Sequence, residues 1–229
     1  MNIRIRFGKE GMMRYIGHLD VLRTFQKIFR RAGIPMQYSK GYSPHPIMSF
    51  ALPLGLGLSS EGEYLDAAVE DGAEPAAMLA ALKEATAEEL PVYALRVLPE
   101  KTENAMAAVG GAIYRVDLPA EMPVKSAETA LKAILDRESI ILPKKTKTRE
   151  IELDIRPMIF GANLCDGAVT MALAAGSRAN LPPEMLLDLF AKESGVSSEQ
   201  LKWQIRRMDL LDHEGRSLGS LGEEAGWEN

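Results

Sequence analysis

Short alternating runs and amphipathic runs succeed one another along the first hundred residues, and that succession restricts the chain to a mixed fold. "IRIRF" (3–7) alternates with the period of a strand. In "GHLDVLRTFQKIFRRAGI" (17–34), Leu22, Phe25, Phe29 and Ala32 recur at helical spacing, and Gly33 is a helix stop. "PMQYS" and "IMSFALPL" read as short strands around a Gly/Pro loop, and "GEYLDAAVE" alternates again. "EPAAMLAALKEATAEEL" predicts a helix with Pro75 in its first turn, and "VYALRVLPE" a closing strand. The order is β-α-β-β-α-β, that of a ferredoxin-like unit.

The same order is expected a second time. "AIYRVDLP" predicts a strand and "SAETALKAILDRE" a helix with Ser126 as its cap. "SIILPKK", "EIELDIRPMIFGANL" and "GAVTMALAAG" predict strands, with a turn at "CDG". "PPEMLLDLFAKESG" opens with proline and closes with glycine, as helices do, and "LKWQIRRMDLLD" is assigned the last strand. The expected fold class is therefore α+β, two tandem ferredoxin-like units. The boundaries are 1–100, a linker at 101–111, a second unit at 112–212, and a Gly- and Glu-rich tail at 213–229 read as disordered.

Charge is distributed unevenly. Net charge is −5, yet residues 1–50 carry nine Lys or Arg against Glu10 and Asp20, whereas residues 51–100 carry two basic and ten acidic groups. Such asymmetry is either neutralised by folding or displayed to a partner. An apolar fraction of 46% is enough for a substantial core, and no apolar run has the length of a membrane span. The N-terminus has no charged head followed by an apolar signal core, so a cytoplasmic protein with no membrane contact is expected. Cys165 is the only cysteine, which excludes a disulfide framework and a cysteine zinc site; its apolar neighbours suggest a buried small hydrophobe. "GLGLSSEG" lacks the lysine of a phosphate-binding loop, no nucleophile elbow is present, and the histidine spacing fits no metal site. No cofactor is expected.

The basic excess concentrates on the first helix and the loop after it. Asp20, Thr24, Lys27 and Arg31 share the side opposite the apolar stripe, flanked by Arg23 and Arg30, with Arg14 upstream and Lys40 beyond. Arg4 and Arg6 share one strand face and add to the patch, unless Glu61, Glu63 or Asp66 pair with them. A surface of this density attracts a polyanion through phosphate contacts. The loop "YSKGYSPHPIMSF" contributes the rings of Tyr38, Tyr42, His45 and Phe50, which stack on unpaired bases, in a segment stiffened by Pro44 and Pro46. The opposing expectation is that these aromatics complete the core. His18 and His45 are candidate catalytic groups, an acid/base pair for cleavage at a ribose 2′-OH, should the fold bring them together. A second cluster, Lys144, Lys145 and Lys147, either joins the first patch or forms a solvated hairpin tip, whereas Arg156, at the end of the following strand, is expected to pair with Asp154 or to reach a ligand.

The run from Arg14 to Gly57, "RYIGHLDVLRTFQKIFRRAGIPMQYSKGYSPHPIMSFALPLGLG", together with "LDIRPMI", closely resembles the bacterial radical-SAM-linked family (DUF2344). The resemblance extends over about residues 1–212 and is carried by Arg14, His18, Asp20, Arg23, Arg30, Tyr38, Gly41, His45, Pro46, Ser49 and Arg156. Family members stand alone or behind a radical SAM domain, near genes of RNA and ribosome biology, so the resemblance implies an RNA connection and a radical SAM partner in trans. One cysteine does not hold the cluster that radical SAM chemistry needs. At the level of fold alone, the expected order also resembles repeat-cleaving endoribonucleases of CRISPR systems. The leading expectation is a non-catalytic RNA-binding module, for tRNA or rRNA. The alternatives are an RNA-processing or nucleotide-modifying enzyme using His18 and His45, and a protein-docking module for the radical SAM partner.

Overall fold

The computed structural model describes residues 1–145, 150–198 and 201–225. It is an α+β chain that divides into two compact units, Met1–Val109 with Arg207–Asn229 (unit 1) and Gly110–Arg206 (unit 2).

Unit 1 opens with β1 (Asn2–Lys9), α1 (His18–Arg31), β2 (Met48–Phe50), β3 (Ser59–Ala68), α2 (Pro75–Ala85) and β4 (Val92–Leu98). β1 lies between β3 and β4, antiparallel to both, with Arg4 opposite Asp66 on one side and Arg96 on the other. β2 pairs with the C-terminal part of β3, Met48 opposite Ala67. Alternation on β1 puts Ile3, Ile5 and Phe7 against the helices, where Val21, Phe25, Ile28 and Phe29 of α1 and Leu79 and Leu82 of α2 close the core. α1 ends where expected, because Gly33 takes a left-handed φ of +68°. "PMQYS" forms only the isolated bridges Met36–Val69 and Tyr38–Pro46 in place of a strand. Prolines 35, 44 and 46 remove the donors a ladder there needs.

Unit 2 contains β5 (Val109–Asp117), α4 (Val124–Leu135), β6 (Ile141–Lys145), β7 (Glu150–Asp154), β8 (Ile159–Cys165), β9 (Ala168–Ala174) and α5 (Pro183–Glu193). β9 pairs antiparallel with both β5 and β8. β6 and β7 form a separate two-stranded sheet. The expected strand "EIELDIRPMIFGANL" is broken in two by a 3₁₀ turn at Arg156–Met158, whose Pro157 supplies no ladder donor. Ser126 is not the cap of α4. The helix starts earlier, after Pro123, and Ser126 sits in its first turn. Cys165 is exposed and not a core residue, because it is the last residue of β8 before the Asp166–Gly167 reversal.

The domain limits also differ from those expected. Residues 101–111 are not a linker: they contain α3 (Ala105–Ala108), capped by Asn104, and the start of β5. The expected last strand exists as β10 (Ile205–Asp212), but from Arg207 onward it belongs to unit 1. Residues 213–225 are structured, against the expectation of a disordered tail. Leu218 is buried and β11 (Glu223–Ala225) pairs with β4. Apolar residues at 218 and 221 and the donors of β11 give the segment what a solvated Gly/Glu tail lacks.

Candidate functional site

α1 presents its cations as its periodicity requires. Lys27 and Arg30 are exposed and make no ion pair or hydrogen bond among the described residues. Arg23 pairs with Asp20 at 3.1 Å, and Arg31 Nη1 donates to the Ala85 carbonyl at 3.0 Å. Arg14, in the 3₁₀ turn Gly11–Tyr15, lays its guanidinium 4.8 Å from the Tyr15 ring centre.

Arg4 and Arg6 do not belong to this patch. Arg4 is buried, with Nε donating to Asp66 Oδ1 at 2.7 Å and Nη2 to Asp66 Oδ2 at 2.9 Å. Arg6 Nε donates to the Glu61 carbonyl. Strand alternation placed both on one face, as expected, but that face is covered by the segment containing Glu103 and by Leu218. The patch therefore shrinks to α1, Arg14 and Lys40.

The loop from Tyr38 to Pro46 is a tight reversal. Ser39 N donates to His45 O, Ile47 N donates to Gln37 O, and Gly41 turns the tip at φ +126°. His45 N donates to Ser39 Oγ at 3.1 Å, and Ser39 Oγ lies 2.9 Å from His45 Nδ1. The ring is thus fixed through Nδ1, which leaves Nε2 for a ligand. Phe50 joins the core, but Tyr38 is 55% exposed and Tyr42 at the tip is fully exposed.

Beneath this loop lies a cavity of about 390 Å³, lined by Ser39, His45, Ile47, Ser49, Asp66 and Ala68 among others. Its floor is the sheet face away from α1. Asn2 stands opposite Ala68 on β3 and Leu98 on β4, and Asp66 stands opposite Ser49. Asp66 is held by Arg4 and by the backbone N–H of Ala105 at 2.7 Å. Sequence reasoning named Asp66 as a possible partner of Arg4 or Arg6, which its pairing with Arg4 bears out, but missed it as a cavity residue. The available signal was an acid in the middle of the alternating "GEYLDAAVE", at the strand position that stands opposite Arg4.

His18 sits elsewhere. It meets the Phe50 ring edge-on, centres 5.1 Å apart, and lines a cavity of about 20 Å³ with Lys9 and Glu63. That volume accommodates about one water. Around it runs a buried charged cluster. Arg207 donates to both oxygens of Glu63 and to the Leu52 carbonyl, while Ser60 Oγ donates to Glu63. Lys9 Nζ donates to the Ile16 carbonyl at 2.8 Å. Burial pushes the Lys9 ammonium below the usual lysine range, a shift that Glu63 opposes and Arg207 reinforces. This cluster had no local sequence signal, because Glu63 and Arg207 are 144 positions apart. His18 and His45 line different cavities and do not form the expected acid/base pair.

In unit 2, Lys144 and Lys145 lie on β6, and Lys147 falls outside the described residues. Arg156 is not available to a ligand as expected. Its Nε, Nη1 and Nη2 donate to the carbonyls of Arg137, Ile159 and Leu135, so it closes the C-terminal end of α4. Among the described residues no group of three His, Cys, Asp or Glu is arranged to hold a metal, and no helix is long and apolar enough to cross a membrane.

Among solved structures, the chain is similar to one chain of the crystal structure of a Cbf5-Nop10-Gar1 complex, at 12% identity and a TM-score of 0.48. The match covers 91% of this chain and 48% of that one, so this chain spans about half the length of that relative. No curated protein sequence matches it. The family model described as an uncharacterized protein conserved in bacteria (DUF2344) matches residues 2–183, and the chain belongs to that family.

Proposed function

We propose that this chain is a non-catalytic RNA-binding module that presents tRNA or rRNA to a radical SAM enzyme acting in trans. The observation that carries this reading is that Tyr38 and Tyr42 stay out of the core on a loop stiffened by backbone hydrogen bonds. Exposed rings on a rigid loop stack on unpaired bases at a low entropic cost. The exposed Lys27 and Arg30 of α1, with Lys40 in the loop, supply phosphate contacts. The strand neighbours β4-β1-β3-β2 are the order expected of a ferredoxin-like unit, and support reading unit 1 that way. The radical SAM partner rests on the family resemblance alone.

The test is binding of fluorescent single-stranded RNA to the purified chain across a salt titration, followed by capture and sequencing of cellular RNA. The expected result is an affinity that falls steeply with salt, drops at least tenfold in Lys27→Glu/Arg30→Glu, and drops again in Tyr42→Ala. Absence of binding at low salt, or binding indifferent to these changes, overturns the reading.

A second reading is favoured by a different observation. Met12, Tyr15, Leu19 and Leu56 leave apolar surface exposed, and the hydrogen bond from Gly57 N to Arg14 O keeps Leu56 beside the 3₁₀ turn. An apolar patch bordered by Arg14 and Arg23 suits a protein partner with an acidic surface. In that case Leu19→Glu abolishes co-purification with the radical SAM enzyme and leaves RNA affinity unchanged.

A further inference from the structure

We infer that the cavity beneath the 38–46 loop is a nucleobase site, with the base inside and the phosphate outside. This rests on the RNA-binding reading above for the source of the base, and it adds what that reading lacks, a place where one base is held individually.

The volume of about 390 Å³ falls in the range of small-molecule sites, roughly 300–1,000 Å³. A sheet face as floor suits a flat ring. The floor is the antiparallel face carrying Leu98, Asn2 and Ala68 in one cross-strand row. Ile47 and Pro99 supply further apolar surface. The polar groups then select the ligand's chemistry.

Asp66 is the decisive one. Oδ1 accepts from Arg4 Nε, and Oδ2 accepts from Arg4 Nη2 and Ala105 N. A carboxylate has about four lone-pair sites, so one acceptor position on Oδ1 remains. It asks for an N–H donor. Ser49, opposite Asp66 in the strand register, and Asn2 on the floor make no side-chain hydrogen bond among the described residues. Each offers a donor and an acceptor to a ring edge. His45 adds a second ring nitrogen, held in place through Ser39.

Among the described residues, no lysine or arginine lines the cavity. Arg4 is buried and committed to Asp66 and the Leu218 carbonyl, so a phosphate has no partner inside. Lys40, adjacent to Ser39, is exposed on the loop. A neutral heterocycle with N–H donors on its edge, attached to an anionic group, matches this distribution. A nucleotide has that form, whether free or as one residue of an RNA strand.

The experiment titrates the full chain with adenosine, guanosine, cytidine and uridine, and with short single-stranded RNA. The histidine ring resonances are read by NMR, His45 being assigned from His45→Gln. At least one nucleoside is expected to move the His45 resonances and leave those of His18 in place. Ala68→Leu, which fills the floor, is expected to weaken that binding at least tenfold. Lys27→Glu/Arg30→Glu is expected to leave nucleoside binding intact while RNA binding falls. If Ala68→Leu does not fold, Ser49→Val takes its place.

The outcomes separate the two readings. RNA binding that is lost in Lys27→Glu/Arg30→Glu but unchanged in Ala68→Leu, with no nucleoside moving His45 at millimolar concentration, overturns the cavity proposal and leaves the RNA reading standing. Nucleoside binding without RNA binding supports the cavity, identifies its ligand as a free nucleoside or nucleotide, and overturns the RNA reading.

Discussion

Glu63 is one buried carboxylate facing two buried cations. It accepts from Arg207, whose side chain is 2% exposed, and its field opposes the desolvation of Lys9. Two ammonium and guanidinium charges share its compensation, so its removal is more costly than the loss of a single pair. Glu63→Gln keeps the shape, removes the charge, and is expected to destabilise the chain by about 3–5 kcal/mol in urea unfolding. Replacing Glu63 and Arg207 together by apolar residues is expected to cost less than Glu63→Gln, since only Lys9 is then left without its carboxylate. Asp212 gives a pH signature. Burial raises its carboxyl, but the backbone N–H and guanidinium of Arg216 and the N–H of Glu214 outweigh that, and it lies below the usual value of 3.8. The folded state therefore binds fewer protons than the unfolded one in that range. The stabilisation is present above the unfolded value and is lost as pH falls through the folded one. Asp212→Asn is expected to flatten the loss of stability on acidification below about pH 4, measured by denaturant unfolding at successive pH values.

Among the elements, α4 shows how a residue that reads as a ligand contact becomes structural. Arg156 lies 19 positions beyond Arg137, whose carbonyl it caps, and no helical or strand period connects the two. Arg156→Met is expected to cost about 1–3 kcal/mol of stability and to leave RNA affinity unchanged, which a melt and a binding titration read separately. Elements with a strong period were legible. β1, α1, β3, α2 and β4 follow directly from where Ile3, Ile5, Phe25, Phe29, Leu65 and Leu82 fall. α1 even carries its cations where the pattern placed them. Elements decided by proline or by long-range pairing were not. The "PMQYS" strand failed for want of donors, and Pro157 divided β7 from β8. The site was half legible: His45 and the tyrosines announce themselves in a Gly/Pro loop. Asp66 and Ser49 matter only because β2 and β3 set them opposite each other.

On the scale of the whole molecule, unit 1 is discontinuous in sequence. Its last pieces, Arg207 on Glu63, Ser217 and Asp209 on the Tyr64 hydroxyl, and Leu218 over Arg4, come from beyond residue 206. Removing residues 213–229 takes away the buried Leu218 and the pairing of β11 with β4, and is expected to lower stability by at least about 2 kcal/mol in urea unfolding. A chain of residues 1–109 alone is expected to fold less stably still, because the buried Glu63 then lacks Arg207. The same arrangement has a consequence in time. On the ribosome the residues that begin unit 1 emerge first, and the residues that complete it emerge only after all of 110–206 has been made. At usual elongation rates of about 5–20 residues per second that interval is roughly 5–20 s. For those seconds the nascent chain carries β3 without the strand end that later supplies Arg207, and a chaperone or partner that recognises unfinished sheet has its opportunity then.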